Sequence, residues 1–195
     1  MKIIGFVGLP GSGKSVASDV AREMGLKVLV MGDVIRQEAA AGGLEPSDEN
    51  LGKVGNMLRN IEGTAAVAKR TLERVGKEKI IVVDGLRSKS EADFFRANSV
   101  EFHLIKIVAP AELRIGWIES RGRSDDPGVP LSSSNARASS SSENRMAAAL
   151  EQREGREMGW GMREAMEEAD LVLRNDAGLE EFRKSVQKLL KELAS

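Results

Sequence analysis

Residues Gly8-Leu9-Pro10-Gly11-Ser12-Gly13-Lys14-Ser15 fit the pattern G-x-x-x-x-G-K-[ST] in full. Such a run serves phosphate chemistry. Its glycines let backbone N–H groups turn inward around phosphate oxygens, and the start of a following helix adds partial positive charge. The amine of Lys14 can reach the β- and γ-phosphates of a nucleoside triphosphate, and the hydroxyl of Ser15 can ligate Mg²⁺. Gly8, Pro10, Gly11, Ser12, Gly13, Lys14 and Ser15 are therefore the candidate nucleotide cradle. The motif reports a triphosphate but leaves the reaction open, since GTPases, ATPases, kinases and non-catalytic modules all use it.

Carboxylates and arginines recur at one spacing further along, in Asp33-Val34-Ile35-Arg36 and Asp84-Gly85-Leu86-Arg87. Two arginines beside a phosphate loop can clamp a second phosphate by bidentate bonds, which an acceptor carrying its own phosphate needs. Plainer roles compete: Asp33 as a helix N-cap, Asp84 as a turn residue, Arg36 as a solvated helix residue. Cations also stand at Arg121-Gly122-Arg123, and at Arg153 and Arg156, whose helical spacing turns both one way. Preplaced cations lower the barrier of a phosphoryl transfer without covalent chemistry. The competing reading for them is a salt-bridged surface helix with Glu143, Glu151, Glu154 and Glu157. His103 reads as structural and Trp117 as core. Trp160, between Gly159 and Gly161, reads as a packing residue at a helix bend.

Five short apolar runs must position these groups as strands: Lys2–Val7, Lys27–Met31, Lys79–Val83, Phe102–Val108 and Leu171–Leu173. Most are continuous Ile/Val/Leu runs, the pattern of strands covered on both faces of a parallel sheet. Helical patterns lie between them at 15–24, 34–41, 50–61, 64–75, 91–97, 111–121, 146–169 and 179–194. Alternation of this kind implies an α/β sandwich, with ligands beyond the carboxyl ends of the strands. The phosphate loop, Asp33 and Asp84 then share one rim. Residues 34–78 form a long helical insert, and 131–142 form a serine-rich tract that reads as a flexible loop.

The 195 residues predict one domain, with 41% hydrophobic and 30% charged residues. Twenty-nine basic against 30 acidic residues give a net charge of −1, no footprint for nucleic acid. Cysteine is absent and histidine occurs once, which excludes thiolate chemistry and argues against a His-based metal site. No apolar run reaches the roughly 18–20 residues of a membrane span. A soluble, cytoplasmic protein is expected.

Gly8 to Ser15, the Gly-Asp-x-x-Arg of Gly32 to Arg36 and the Asp-Gly-x-Arg of Asp84 to Arg87 resemble adenylate kinase and its nucleoside monophosphate kinase relatives. The match is most specific to a small adenylate-kinase-related family of P-loop kinases, over residues 1–127 and 151–195. Dephospho-CoA kinase is a more distant likeness, through the phosphate loop, Asp33 and the run Ala169 to Asn175. The resemblance implies a P-loop NTPase fold with sheet order 2-3-1-4-5 and Mg²⁺-dependent transfer from ATP to a phosphorylated acceptor, AMP first. It gives Arg36 and Arg87 the acceptor phosphate, Asp84 the Mg²⁺ shell, and Asp33 the acceptor or, with dephospho-CoA, the role of base. Gly85 and Arg59 join the acceptor side. Residues 121–157 become a lid, with Arg121, Arg123, Arg153 and Arg156 on the donor phosphates. Asn175 and Gly178 pack the adenine. A nucleotide-sensing module with little turnover is the other outcome, since the chain between Pro127 and Arg153 is longer than in those relatives.

Overall fold

A computed structural model describes residues 1–121, 126 and 140–194; Arg123, Arg137 and residues 131–139 of the serine-rich tract lie outside them. The strands are β1 (Lys2–Val7), β2 (Lys27–Val30), β3 (Ile80–Leu86), β4 (Glu101–Val108) and β5 (Leu171–Arg174). They form one parallel sheet in the order β2-β3-β1-β4-β5, as the resemblance implied. Between them run α1 (Lys14–Glu23), α2 (Met31–Ala41), α3 (Asp48–Glu62), α4 (Ala66–Leu72), α5 (Lys89–Ala97), α6 (Ala111–Arg121), α7 (Ser140–Gly159) and α8 (Met162–Glu167), with α9 (Leu179–Ala194) last. No described helix is long and apolar enough to cross a membrane.

The alternation of strand side chains splits the core in two. Ile3, Val7, Ile81, Val83 and Leu104 face α2, α3, α4, α5 and α8. Ile4, Phe6, Val82, Ile105 and Ile107 face α1 and α9. On α9 the spacing Phe182, Val186, Leu190 lays three buried side chains in one stripe. Each contributes about 1.5–3 kcal/mol of burial. Both sheet faces are therefore dry, which accounts for continuous rather than alternating apolar runs.

Several boundaries differ from the sequence reading. Helix α2 begins at Met31 with no loop after β2, so Gly32 and Asp33 lie in its first turn. The N-cap position belongs to Val30, so Asp33 is not the cap; its charge instead complements the helix dipole. Strand β3 runs on to Leu86, past the expected end at Val83. The extension holds a bulge: Phe6 pairs with Asp84 and Val7 with Leu86, which leaves Gly85 unpaired at φ +94. The helix expected over 146–169 is two helices, broken at Trp160–Gly161, where Gly161 takes φ +95. Ser140–Ser142, read as the end of the loop, are instead the first residues of α7.

Trp117 is also a correction. It is half-buried and lines the cleft described below, while Ile118 beside it is fully buried. On α6 the pair Leu113 and Trp117 shares one face and the pair Arg114 and Ile118 the buried one. His103 is half-buried on β4 with its Nε2 2.7 Å from Glu101 Oε1, a structural place.

Candidate active site

A cleft of about 720 Å³ opens along the carboxyl ends of the strands. Lys14, Ser15, Asp84, Arg87, Arg153 and Trp160 all line it. The phosphate loop sits between β1 and α1 as expected. Gly8, Gly11 and Gly13 take φ +153, +78 and +109. A Cβ at these positions would lie 2.3 Å from Ile107 O, 2.8 Å from Arg114 O and 2.4 Å from Asn175 Nδ2 respectively. The backbone therefore packs closer than any side chain allows. Replacing Gly8 by alanine is expected to cost about 3 kcal/mol or more, because the obstacle is another strand's carbonyl and cannot swing aside. Scanning calorimetry should register a drop in Tm of about 6–12 °C.

The loop's carbonyls are held from behind. Arg114 Nη1 donates to Pro10 O at 3.0 Å and also to Glu154, and Asn175 Nδ2 donates to Ser12 O at 3.0 Å. Arg114 ties the loop to α7, and nothing in local spacing announces it. Asn175 lines the cleft, but its amide braces the loop. Gly178 lines the cleft too, at φ +107. Ser12 Oγ is buried without a partner among the described residues.

Lys14 Nζ donates to Gly8 O at 2.6 Å and Leu9 O at 3.0 Å. Burial pulls its pKa down to about 8, against the pull of Asp84 and Glu157. Asp84 is 7% exposed at the bulged end of β3, and its Oδ2 accepts from Ser18 Oγ at 2.9 Å. Ser18 stands one turn after Ser15 on the inward stripe of α1, a position whose spacing was readable. A serine hydroxyl and a carboxylate are hard oxygen donors that suit Mg²⁺. The glycine cradle beside them leaves room for phosphate oxygens. Ser15 and Asp84 are thus the residues that would hold the ion.

Opposite the loop lies an ion-pair network. Glu157, 2% exposed on α7, faces Arg87 Nε at 3.2 Å and Arg153 Nε at 3.1 Å. Burial raises its pKa, but Arg87, Arg153 and Lys14 together hold it below the usual carboxylate range. Asp48, in the first turn of α3, accepts two bonds from Arg156 Nη2, at 2.9 and 3.0 Å. Arg153 and Arg156 both line the cleft and both reach Asp48 of α3, Arg153 through Nη1 at 3.4 Å while its Nε stays on Glu157. Trp160, at the break between α7 and α8, donates its Nε1–H to Asn56 Oδ1 at 2.7 Å. The guanidinium of Arg59 stacks 4.1 Å from its ring.

Arg36 lines the cleft and pairs with Asp33 Oδ1 at 2.6 Å, while Asp33 itself is not among the lining residues. Arg59 is likewise outside the lining. It is spent on the fully buried Glu91 at 2.7 Å, whose other oxygen accepts from the backbone N–H of Arg87 at 2.8 Å. Gly85 lines the cleft as the bulge residue. Arg121 ends α6. Asp126, 2% exposed, lines the cleft without having been singled out from sequence. No cluster of three metal-ligating side chains occurs among the described residues.

Comparison with known proteins fits this geometry. A family model described as an AAA domain matches residues 7–127. A UPF0200 protein of Methanothrix thermoacetophila is 50% identical over 193 residues, covering 99% of this chain and 98% of that protein. Another from Methanosarcina mazei is 43% identical over 193 residues, covering 97% and 94%. Among solved structures, a gluconokinase from Sinorhizobium meliloti aligns with TM-score 0.53 at 16% identity, over 99% of this chain and 93% of that one. A shikimate kinase from Acinetobacter baumannii aligns with TM-score 0.51 at 17% identity, over 98% and 92%. These likenesses show a fold shared with P-loop kinases.

Proposed function

The chain belongs to the UPF0200 family, and we propose that it is an ATP- and Mg²⁺-dependent phosphotransferase acting on a small phosphorylated acceptor, AMP first. The observation that carries this reading is the convergence of Lys14, Asp84, Arg87 and Arg153 on one cleft. In this reading the cradle from Gly8 to Ser15 binds the donor triphosphate, and Lys14 leaves its carbonyl partners for the β- and γ-phosphates. Bound Mg²⁺ would neutralise phosphate charge, with Ser15 and Asp84 as its protein oxygens. An acceptor oxygen attacks the γ-phosphorus in line as the bridging P–O bond to the β-phosphate breaks, and ADP leaves. Arg87 and Arg153 stand ready for the charge that spreads over the transferring group.

The position of Asp33 bears on the acceptor's class. A hydroxyl acceptor such as dephospho-CoA gains from a general base. Asp33, the candidate base, lies outside the cleft lining with its carboxylate on Arg36. A phosphate oxygen is already ionised and needs no base. Phosphate acceptors are therefore favoured over a hydroxyl acceptor that relies on Asp33, although other carboxylates line the cleft and the gluconokinase and shikimate kinase neighbours are named for hydroxyl-bearing substrates.

The test is an acceptor panel: protein, ATP and Mg²⁺ with AMP, CMP, GMP, UMP or dephospho-CoA, products separated by chromatography. ADP formed stoichiometrically from AMP and ATP is the expected result. CoA as product would replace the acceptor class and make a base of one of the cleft carboxylates. Binding of AMP with no product from any acceptor would overturn the kinase reading in favour of a nucleotide-sensing module.

A further inference from the structure

Arg153 and Arg156 come from α7, yet the anion they hold belongs to α3 of the long helical insert. Asp48 Oδ1 and Oδ2 lie 2.9 and 3.0 Å from Arg156 Nη2, and Oδ1 lies 3.4 Å from Arg153 Nη1. One turn along α3, a Cβ on Gly52 would come within 2.9 Å of Arg156 Cζ. The guanidinium thus lies against the helix backbone, and a side chain at Gly52 would make it shift. Arg156 Nε is buried and has no partner among the described residues, so the carboxylate satisfies only part of this fork.

We propose that Asp48 is an internal counter-anion holding the seat of the acceptor's phosphate on Arg156 and the Nη1 end of Arg153, whose Nε end stays on Glu157 toward the transferring group, and that it sets acceptor affinity and charge selectivity. This rests on the reading of the cleft as a phosphotransferase site. The exchange follows from charge. A carboxylate carries one negative charge, whereas a phosphomonoester carries about 1.5 to 2 at neutral pH and a third oxygen for an unmet donor. A phosphate on this seat displaces Asp48 at a gain. A neutral or singly charged acceptor competes poorly with a carboxylate that is already tethered in place. The released Asp48, about one-fifth exposed before release, has solvent at hand. Asp48 is a specificity determinant here and takes no part in bond making.

The test uses the whole chain, with sodium phosphate and AMP as titrants in a calorimeter. Asp48→Asn keeps the side-chain shape and removes the charge. It should bind both ligands about tenfold more tightly and lower the KM for AMP while kcat changes little. Asp48→Ser, a second way of removing the charge, should tighten binding as well, which keeps the test valid if one variant folds poorly. Glu49→Gln removes the same charge one residue away, from an exposed carboxylate paired with Lys53, and should leave both affinities within about twofold. Unchanged or weaker binding by both Asp48 variants would overturn the proposal and leave Asp48 as a scaffold for the arginines. Equal tightening by Glu49→Gln would overturn it too, in favour of a general field effect. Phosphate binding needs no turnover, so a failed acceptor panel condemns the reaction without touching this result.

Discussion

Lys14→Ala is expected to reduce kcat/KM for phosphoryl transfer by about 10³-fold or more while the protein stays folded. The amine is the cation nearest the loop's phosphate seat, and its present partners, two loop carbonyls, are weak substitutes for phosphate. Its burial outweighs the opposing pull of Asp84 and Glu157, which is why the pKa falls to about 8 from 10.5. The sign of the stability effect follows. Between those two values the unfolded chain binds more protons than the folded one, so wild-type stability rises as pH rises from about 8 toward 10.5. The alanine variant lacks that rise. Bound triphosphate favours the ammonium form, so ATP affinity should fall as pH rises above 8 and binding at pH 9 should take up a proton. Calorimetry in two buffers of different ionisation heat reads that uptake. A Lys14→Ala protein with near-normal transfer, or wild-type binding without proton uptake, contradicts this account.

Glu157→Ala is expected to be the most destabilising change among the cleft's charged side chains, by about 3–5 kcal/mol. The cause is what remains: Arg87 and Arg153 would face each other across a site left without its buried carboxylate. Thermal unfolding should fall by about 6–20 °C. Glu157→Gln keeps an oxygen toward the arginines and should lose less. Because the folded state holds this carboxyl below 4.5, its contribution is complete above that value and is lost as pH falls through the lower, folded pKa. Acid titration of the wild type should show that loss, and the glutamine variant should show less of it. A Glu157→Ala protein as stable as wild type would mean that water or Asp48 already compensates the two guanidinium groups.

What was legible in the sequence is what is local. The phosphate loop is encoded in consecutive glycines whose φ values a side chain forbids, and Asp84 and Arg87 lie where a strand stops. The sheet order came through family likeness, since strand spacing alone does not rank neighbours. The other half of the site is non-local. Asp48 and Arg156 are 108 positions apart, Arg114 and Pro10 are 104, and Arg59 and Glu91 are 32. No periodicity reports such pairings. Glu157 illustrates the difficulty well. Its spacing from Arg153 reads as a solvated i, i+4 pair, and only the docking of α7 against the cleft makes it a buried one. Trp117 failed as core for a related reason: an aromatic on a mostly apolar helix suits a cleft wall as well as an interior.

Helix α3 carries Gly52 and Gly55 in its middle, beneath the guanidinium groups of Arg156 and Arg59. Two such glycines forfeit about 2 kcal/mol of helix propensity relative to alanine. The arm is therefore weak as a helix and is held largely by what docks on it. In the proposed exchange Arg156 lets go of Asp48 and the arm loses part of its own support, so occupancy of the seat and local opening of α3 are tied to one free energy. In the exchange proposed for Asp48, seating a phosphate and loosening this arm become a single event, and the two glycines set its cost.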